Sequence, residues 1–366
     1  MNDNLDMNKI YSEAIVKLVE KNIEKIFSTV KKNFKDALKK SQIDFSTAFE
    51  CYLNKGSEKH SNIKTLLYSE PKFIYDFYVC NYLKRNSNHD IYLDANSVNN
   101  ILEISKFILI SGSGGLGKTM MLKHFFLNCI KTTDLIPIFI ELRGQNNTGL
   151  SLNNYIYQRL NILGFTLEQE YFEYALKSGR FLILFDGLDE IENKYNILNE
   201  INIFCDKYAD NHFIITSRPS NSDVNFTSLQ RFTTLQILPL EKQQSLSLIS
   251  RIHFDESVKK RFLSELNNFL FKKHETFASN PLLLTIMLLT YESYANIPEK
   301  LHTFYSYAFE TLLIKHDATK DGYRRKLKSR VSVDDFRSII SELCFKLFIK
   351  QNISFTESMV IDMMLE

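Results

Sequence analysis

The stretch Gly112-Ser113-Gly114-Gly115-Leu116-Gly117-Lys118-Thr119 has the glycine spacing of a loop that wraps phosphate, closed by a lysine and a hydroxyl. Glycines accept backbone angles that turn successive N–H groups to one side, and the positive end of a following helix adds to that field. Together they make a nest for anions. A strand over residues 107–110 precedes the loop and a helix to residue 130 follows, the context the pattern requires. In that setting Lys118 is expected to bridge the β- and γ-phosphates of a nucleotide and the Thr119 hydroxyl to ligate Mg2+. Gly112, Ser113, Gly114, Gly115, Leu116, Gly117 and Met120 would complete the cradle.

Two further strand ends carry reactive groups. The run Phe181-Leu182-Ile183-Leu184-Phe185 ends in Asp186-Gly187-Leu188-Asp189-Glu190. Carboxylates that emerge at the C-terminal edge of a buried strand stand where open α/β sheets keep their ligands. Asp186 is expected to hold Mg2+ through water. Asp189 and Glu190 are placed to orient or activate an attacking water, with Glu190 preferred. A third run, Phe213-Ile214-Ile215-Thr216-Ser217, ends in Arg218-Pro219. Its guanidinium has the forked geometry to reach a γ-phosphate and distinguish ATP from ADP.

The elements that must position these groups are legible as pattern. Short Ile/Leu/Phe-rich runs over residues 106–111, 136–142, 181–185, 213–217 and 232–238 alternate with helical stretches. That alternation predicts a parallel sheet with helical crossovers, and unbroken apolar character predicts strands buried on both faces. Upstream, Ile15, Val19, Ile23, Ile26, Val30, Phe34 and Leu38 step by three or four, one face of a long helix whose other face is lysine-rich. Helix is expected to continue over residues 45–53 and 63–83, which makes residues 1–95 a helical module. After Pro239 the pattern is helical again over residues 241–251, 257–271 and 281–294, with Asn280-Pro281 starting the last of these. Residues 317–330, with six basic side chains, read as a solvated loop.

Composition bounds the class of protein. The chain has 366 residues, 44% hydrophobic and 24% charged, with 11 Gly, 6 Pro and no Trp, which excludes collagenous, low-complexity and largely disordered chains. A net charge of +2 does not indicate nucleic acid or an anionic membrane as partner. Five scattered cysteines without metal-ligand spacing suit a reducing compartment. The N-terminus lacks signal-peptide character and no apolar run is long enough to cross a bilayer, so the expected setting is cytoplasmic.

Taken with their order and wording, GSGGLGKT, FDGLDE and TSRP resemble the NACHT family of STAND NTPases. Asp186-Gly187-Leu188-Asp189-Glu190 carries the most specific likeness: a small residue after the magnesium acid, then two further acids. Residues 136–143 resemble the second strand of that family, and residues 75–83 the stretch that lines its adenine pocket. Asn280-Pro281-Leu282-Leu283 resembles the helical-domain motif in which the proline, here Pro281, packs on adenine. Ile297-Pro298 resembles the start of a winged-helix domain.

The resemblance implies an α/β P-loop NTPase with a parallel sheet over residues 96–240. The N-terminal module over residues 1–95 precedes it, and a helical domain over 241–296 and an incomplete winged-helix domain over 297–366 follow. It implies a signalling ATPase that uses ATP, ADP and Mg2+, closed with ADP and able to form a homo-oligomer with ATP. Its setting would be bacterial antiphage defence, with a phage-derived trigger or a partner effector protein. Animal members hold ADP through a winged-helix histidine, for which His302 and His316 are available here. Two other readings stay open: an AAA-type motor or helicase acting on nucleic acid or protein, and a nucleotide-stabilised scaffold that binds a partner.

Overall fold

The computed structural model describes residues 2–33, 42–68, 70–85, 90–146, 148–191, 194–219, 229–294, 297, 303–309, 333–351 and 357–365. The chain divides into two compact units, Met1–Ala308 and Phe309–Glu366. The first opens with α1 (Asn2–Asn33) and α2 (Gln42–Ser61), followed by a two-residue ribbon of β1 (Asn62–Ile63) and β2 (Lys72–Phe73). Next come β3 (Tyr82–Arg85), β4 (Ile91–Asp94), α3 (Val98–Leu102), β5 (Phe107–Ser111), α4 (Lys118–Thr132) and β6 (Ile136–Glu141). Then follow α5 (Leu152–Ile162), α6 (Gln169–Leu176), β7 (Phe181–Asp186), α7 (Lys194–Lys207), β8 (His212–Ser217) and β9 (Thr233–Ile237). The unit's helical segment contains α8 (Lys242–Arg251), α9 (Glu256–Glu265) and α10 (Pro281–Tyr294).

The seven-stranded sheet has the order β4-β3-β9-β5-β8-β7-β6. The strands from β9 to β6 are mutually parallel, while β3 and β4 add antiparallel at one edge. The parallel strands are buried almost end to end, as their unbroken apolar runs require. Pairing of Ser111 with Ser217 and of Glu141 with Asp186 brings four strand ends to one rim. Strand β5 lies where the order reverses. Its crossover through α4 leads to β6 at the far edge, and the chain returns through β7 and β8 before passing to β9 on the other side. That crevice is where an open parallel sheet binds ligand.

The N-terminal helices complete this unit. Phe45 and Phe49 on α2 are fully buried, and Phe49 meets Phe165 and Phe181 at ring centroid distances of 5.1 and 5.7 Å. Burying each such ring contributes about 2–3 kcal/mol. Gly56 lets α2 approach α4 closely, because a Cβ there would stand 2.8 Å from Phe126. Strand β6 is an edge, and its buried Phe139 N–H donates to the Tyr52 hydroxyl at 3.3 Å.

Several expectations change. The helix expected over residues 63–83 is absent; the segment forms β1, β2, a 3-10 turn at Ile74–Asp76 and β3. Pro71 interrupts any helix there, and the clustered aromatic and branched residues from Phe73 to Val79 suit extended and turn backbone. As a result the sheet is only mostly parallel and begins at Tyr82. The helix expected over residues 257–271 gives way to a π-turn at Leu266–Leu270. Helix α1 buries Ile15, Val19, Ile23, Ile26 and Val30 as expected, whereas Phe34 and Leu38 lie outside the described residues. So do Pro298, His302, His316 and the loop over residues 317–330.

In the second unit, α11 (Val333–Ile349) and α12 (Glu357–Leu365) are joined by a bond of 3.2 Å from Lys346 Nζ to the Met363 carbonyl. Among the described residues no helix is long and apolar enough to cross a membrane.

Removing the Tyr52 hydroxyl with Tyr52→Phe leaves the Phe139 N–H buried without an acceptor. The expected loss is about 1–2 kcal/mol, read as a lower thermal midpoint. An unchanged midpoint would show that this bond does not stabilise the sheet edge.

Candidate nucleotide site

Between β5 and α4 the backbone takes positive φ at Gly115 (80°) and Gly117 (90°), which only glycine adopts without strain. Gly112 passes so close to β9 that a Cβ would stand 2.0 Å from Ile237, and its N–H donates to Ser217 at 3.2 Å. The loop carbonyls are then taken up one by one. Lys118 Nζ donates to Gly112 O (2.5 Å) and Ser113 O (3.0 Å), Asn280 Nδ2 to Gly114 O (3.0 Å) and the Leu282 N–H to Gly115 O (3.3 Å). With its carbonyls engaged, the loop offers its N–H groups, the arrangement of an anion nest.

The loop borders a cavity of about 360 Å³, a size suited to a small-molecule ligand. Gly114, Gly115, Gly117, Lys118, Thr119 and Met120 line it, and so do Asp186, Asp189, Glu190, Arg218 and Pro281. The remaining expected cradle residues sit behind this wall: Gly112 lies against Ile237, Ser113 offers its carbonyl to Lys118, and Leu116 is buried.

Asp186 leaves the end of β7 and accepts from Thr119 Oγ1 on Oδ2 and from Thr216 Oγ1 on Oδ1, both at 2.7 Å. Thr216 in turn accepts the Gly187 N–H at 3.0 Å. Burial pushes the Asp186 carboxyl above its ordinary pKa; the two threonine bonds pull it back, and Glu190 and Glu141 push it further up. A hard divalent cation takes oxygen ligands, and Mg2+ usually has only one or two protein ligands besides phosphate and water. The Thr119 hydroxyl and the Asp186 carboxylate are such a pair. Among the described residues no group of three or more His, Cys, Asp or Glu could hold a metal alone.

Lys118 is shifted the other way. Burial lowers its pKa, Asp189, Asp186 and Glu190 raise it, and Arg218 lowers it. A phosphate in the nest would add the negative charge that favours the ammonium form.

The two acids that follow Asp186 differ in their surroundings. Asp189 accepts the Arg218 N–H on Oδ1 and pairs with Arg218 Nε through Oδ2, both at 3.0 Å. Its side chain is 17% exposed and that of Arg218 60%, so Asp189 is the fixed member and Arg218 the projecting one. A Cβ on Gly114 would lie 3.7 Å from the Arg218 guanidinium carbon, which places that group over the loop. Glu190 is 42% exposed and lies 3.9 Å from Arg143. The positive φ of Gly187 (78°) makes the turn that sets both acids beyond the strand.

The far side of the cavity is apolar, with Leu66, Leu67, Val79, Leu248 and Ile252 facing Pro281. The carbonyls on either side of Val79 are occupied: Arg251 Nη1 donates to Tyr78 O and Gln244 Nε2 to Cys80 O, each at 2.8 Å. Leu66, Leu67, Leu248, Ile252, Thr216 and Asn280 are not singled out as site residues by sequence reasoning. For Thr216 the signal was present, a hydroxyl on the same rim as Asp186. Asn280 is marked by the sequence as a helix start and not as a loop partner, and nothing in local pattern marks Leu66, Leu67, Leu248 or Ile252.

The raised pKa of Asp186 makes a prediction with a definite sign. Stability from this group is fully present below the ordinary carboxylate pKa and is lost as pH rises through the raised value. Asp186→Asn, freed of nucleotide and divalent cation, is therefore expected to melt at or above the parent at pH 8. That advantage should shrink toward pH 4, while Mg2+-dependent nucleotide binding falls. A variant melting lower at pH 8 would contradict this.

Residues 106–256 match the family model of the NACHT domain. No curated protein matches the chain. Among solved structures, domain III of the Thermotoga maritima replication initiation protein DnaA is similar at 14% identity, over 58% of this chain and 90% of that one, with a TM-score of 0.34. A DNA replication initiation factor is similar at 16% identity, over 72% and 92%, with a TM-score of 0.32. PCH-2 from C. elegans is similar at 11% identity, over 78% and 72%, with a TM-score of 0.35. The chain carries a NACHT domain, a P-loop NTPase module, over residues 106–256.

Proposed function

We propose that this protein is a NACHT-type signalling ATPase in which Mg-ATP binding and slow hydrolysis switch the chain between a closed ADP state and an assembly-competent ATP state. The observation that carries the reading is a single cavity walled on one side by the phosphate loop, Asp186 and Arg218 and on the other by Leu248, Ile252 and Pro281 of the helical segment. A ligand held between two parts of a fold is well placed to govern how they pack.

In this reading the loop N–H groups and Lys118 bind the phosphates, and Thr119 and Asp186 hold Mg2+. Bound there, the cation would neutralise charge on the phosphate oxygens. Glu190 orients the attacking water; its exposed carboxylate suits that role better than Asp189, whose oxygens are engaged by Arg218. Arg218, held by Asp189, reaches toward the terminal phosphate. The base occupies the apolar side against Pro281. Val79, between two occupied carbonyls, lines the same cavity.

In this reading residues 96–240 bind nucleotide, 241–296 form the helical domain and 297–366 are an incomplete winged-helix domain. Homo-oligomerisation with ATP, a phage-derived trigger or partner effector, and a place in bacterial antiphage immunity rest on the motif resemblance. A cytoplasmic setting is supported by all five cysteines being free thiols.

The test begins with protein purified without added nucleotide, then denatured to release what it holds. Near-stoichiometric ADP is the expected result. Lys118→Ala should abolish nucleotide binding. Glu190→Gln should keep ATP binding and lose about 10²- to 10⁴-fold in hydrolysis, locking the assembled form. ATP affinity unchanged by Lys118→Ala would refute the site. Fast hydrolysis stimulated by nucleic acid or protein would point to a motor, and assembly indifferent to Glu190→Gln to a scaffold.

A further inference from the structure

The helical segment holds the phosphate loop through one buried side chain, Asn280. Its Nδ2 donates to Gly114 O at 3.0 Å, while its Oδ1 accepts the Leu282 and Leu283 N–H groups at 3.1 and 3.3 Å. The same amide thus caps α10 at one end and ties down the loop at the other. The contact is close as well as polar, since a Cβ on Gly115 would stand 2.6 Å from Asn280 Oδ1.

What this does to the loop follows from peptide geometry. In a trans peptide the C=O and the following N–H point in opposite directions. With Gly114 O drawn toward Asn280, the Gly115 N–H faces away from α10; with Gly115 O drawn toward the Leu282 N–H, the Leu116 N–H does the same. The positive φ of Gly115 lets two successive carbonyls turn to one side, so their N–H partners converge on the other. At the opposite end of the cavity Arg251 and Gln244 of α8 grip the carbonyls of Tyr78 and Cys80. One helical segment therefore holds backbone at both ends of the cavity.

We infer that Asn280 is a positioning residue of the nucleotide site: its amide holds the Gly114–Gly115 peptide so that N–H groups face the phosphate, and so couples docking of α10 to occupation of the cavity. The inference rests on the cavity being a nucleotide site, as proposed above. Coupling of this kind is reciprocal: ADP tightens α10 on the loop to the extent that α10 tightens the loop on ADP.

The decisive variant is Asn280→Ser in the full chain, with ADP as probe. Serine is also a good N-cap, but it is too short to reach Gly114 O, so capping and loop positioning separate. The expected result is a thermal midpoint close to the parent without nucleotide and ADP affinity weakened about 3- to 10-fold. Saturating ADP should also slow hydrogen exchange at residues 282–285 in the parent and no longer do so in the variant. ADP affinity within twofold of the parent would overturn the inference and leave the nucleotide site standing. If Asn280→Ser lowers the midpoint, Asn280→Asp decides, because it keeps the shape and an oxygen for both cap bonds without the donor. Because the added charge alone weakens ADP, the readout in that variant is taken at saturating ADP: loss of the ADP-dependent slowing of exchange at residues 282–285 would support the inference, and parental slowing would overturn it. A parent chain that does not bind ADP would overturn the nucleotide-site reading first, and this inference with it.

Discussion

One half-buried carboxylate joins three parts of this site. Asp186, at the end of strand β7, accepts Thr119 from the phosphate loop helix and Thr216 from the end of β8. These bonds require the ends of β5, β7 and β8 to reach the same rim at the same height, and the parallel register delivers this. The same burial that makes the bonds strong also makes the charge unfavourable, since desolvation raises the pKa of this acid. A carboxylate kept in such a place is stabilised by a cation or a proton, and the neighbouring hydroxyl oxygen fits the cation.

Around Asp186 the charges sort into fixed and projecting groups. Asp189 is sheltered and clamps Arg218 through both the backbone and the guanidinium. Glu190, one residue further on, is left more exposed, its carboxylate 3.9 Å from Arg143. The two acids adjacent in sequence therefore differ in chemistry because the left-handed Gly187 and the turn after it aim them differently. The clamp also stiffens the arginine, whose long side chain would otherwise lose entropy on reaching a phosphate.

The elements outside the sheet brace what surrounds the phosphate loop. His124, on α4, accepts the Tyr75 hydroxyl at Nδ1 and donates from Nε2 to Asn96 O, both at 3.0 Å, a pairing that fits a neutral ring. Burial lowers its pKa, consistent with that form. Lys59 of α2 reaches Glu141 at 3.4 Å, next to Asp186 in the sheet. Helix α10 arrives from the other side through Asn280. The helix that follows the phosphate loop is thus braced by segments before it in the chain, and the loop itself by the start of α10.

Much of this was legible in the residues alone. The glycines, Lys118 and Thr119 carry a loop chemistry that depends on local backbone freedom and spacing, and five apolar runs marked the parallel strands because burial on both faces leaves a continuous signal. Asn280-Pro281 marked the start of α10 because capping is local. The pattern over residues 63–83 predicts helix because short strands and turns lack a period long enough to detect, and their pairing partners, such as Ile237 for Leu83, lie far along the chain. No local rule assigns Asn280 to Gly114, Asp189 to Arg218 or Leu248 to the cavity wall, for each contact joins segments separated in sequence. The sequence by itself determined the chemistry of the phosphate loop and the acidic strand end, because these depend on neighbouring residues. Only the tertiary structure decided which groups hold that loop, because hydrogen-bond distance between remote segments exists only once the sheet and the helices have packed.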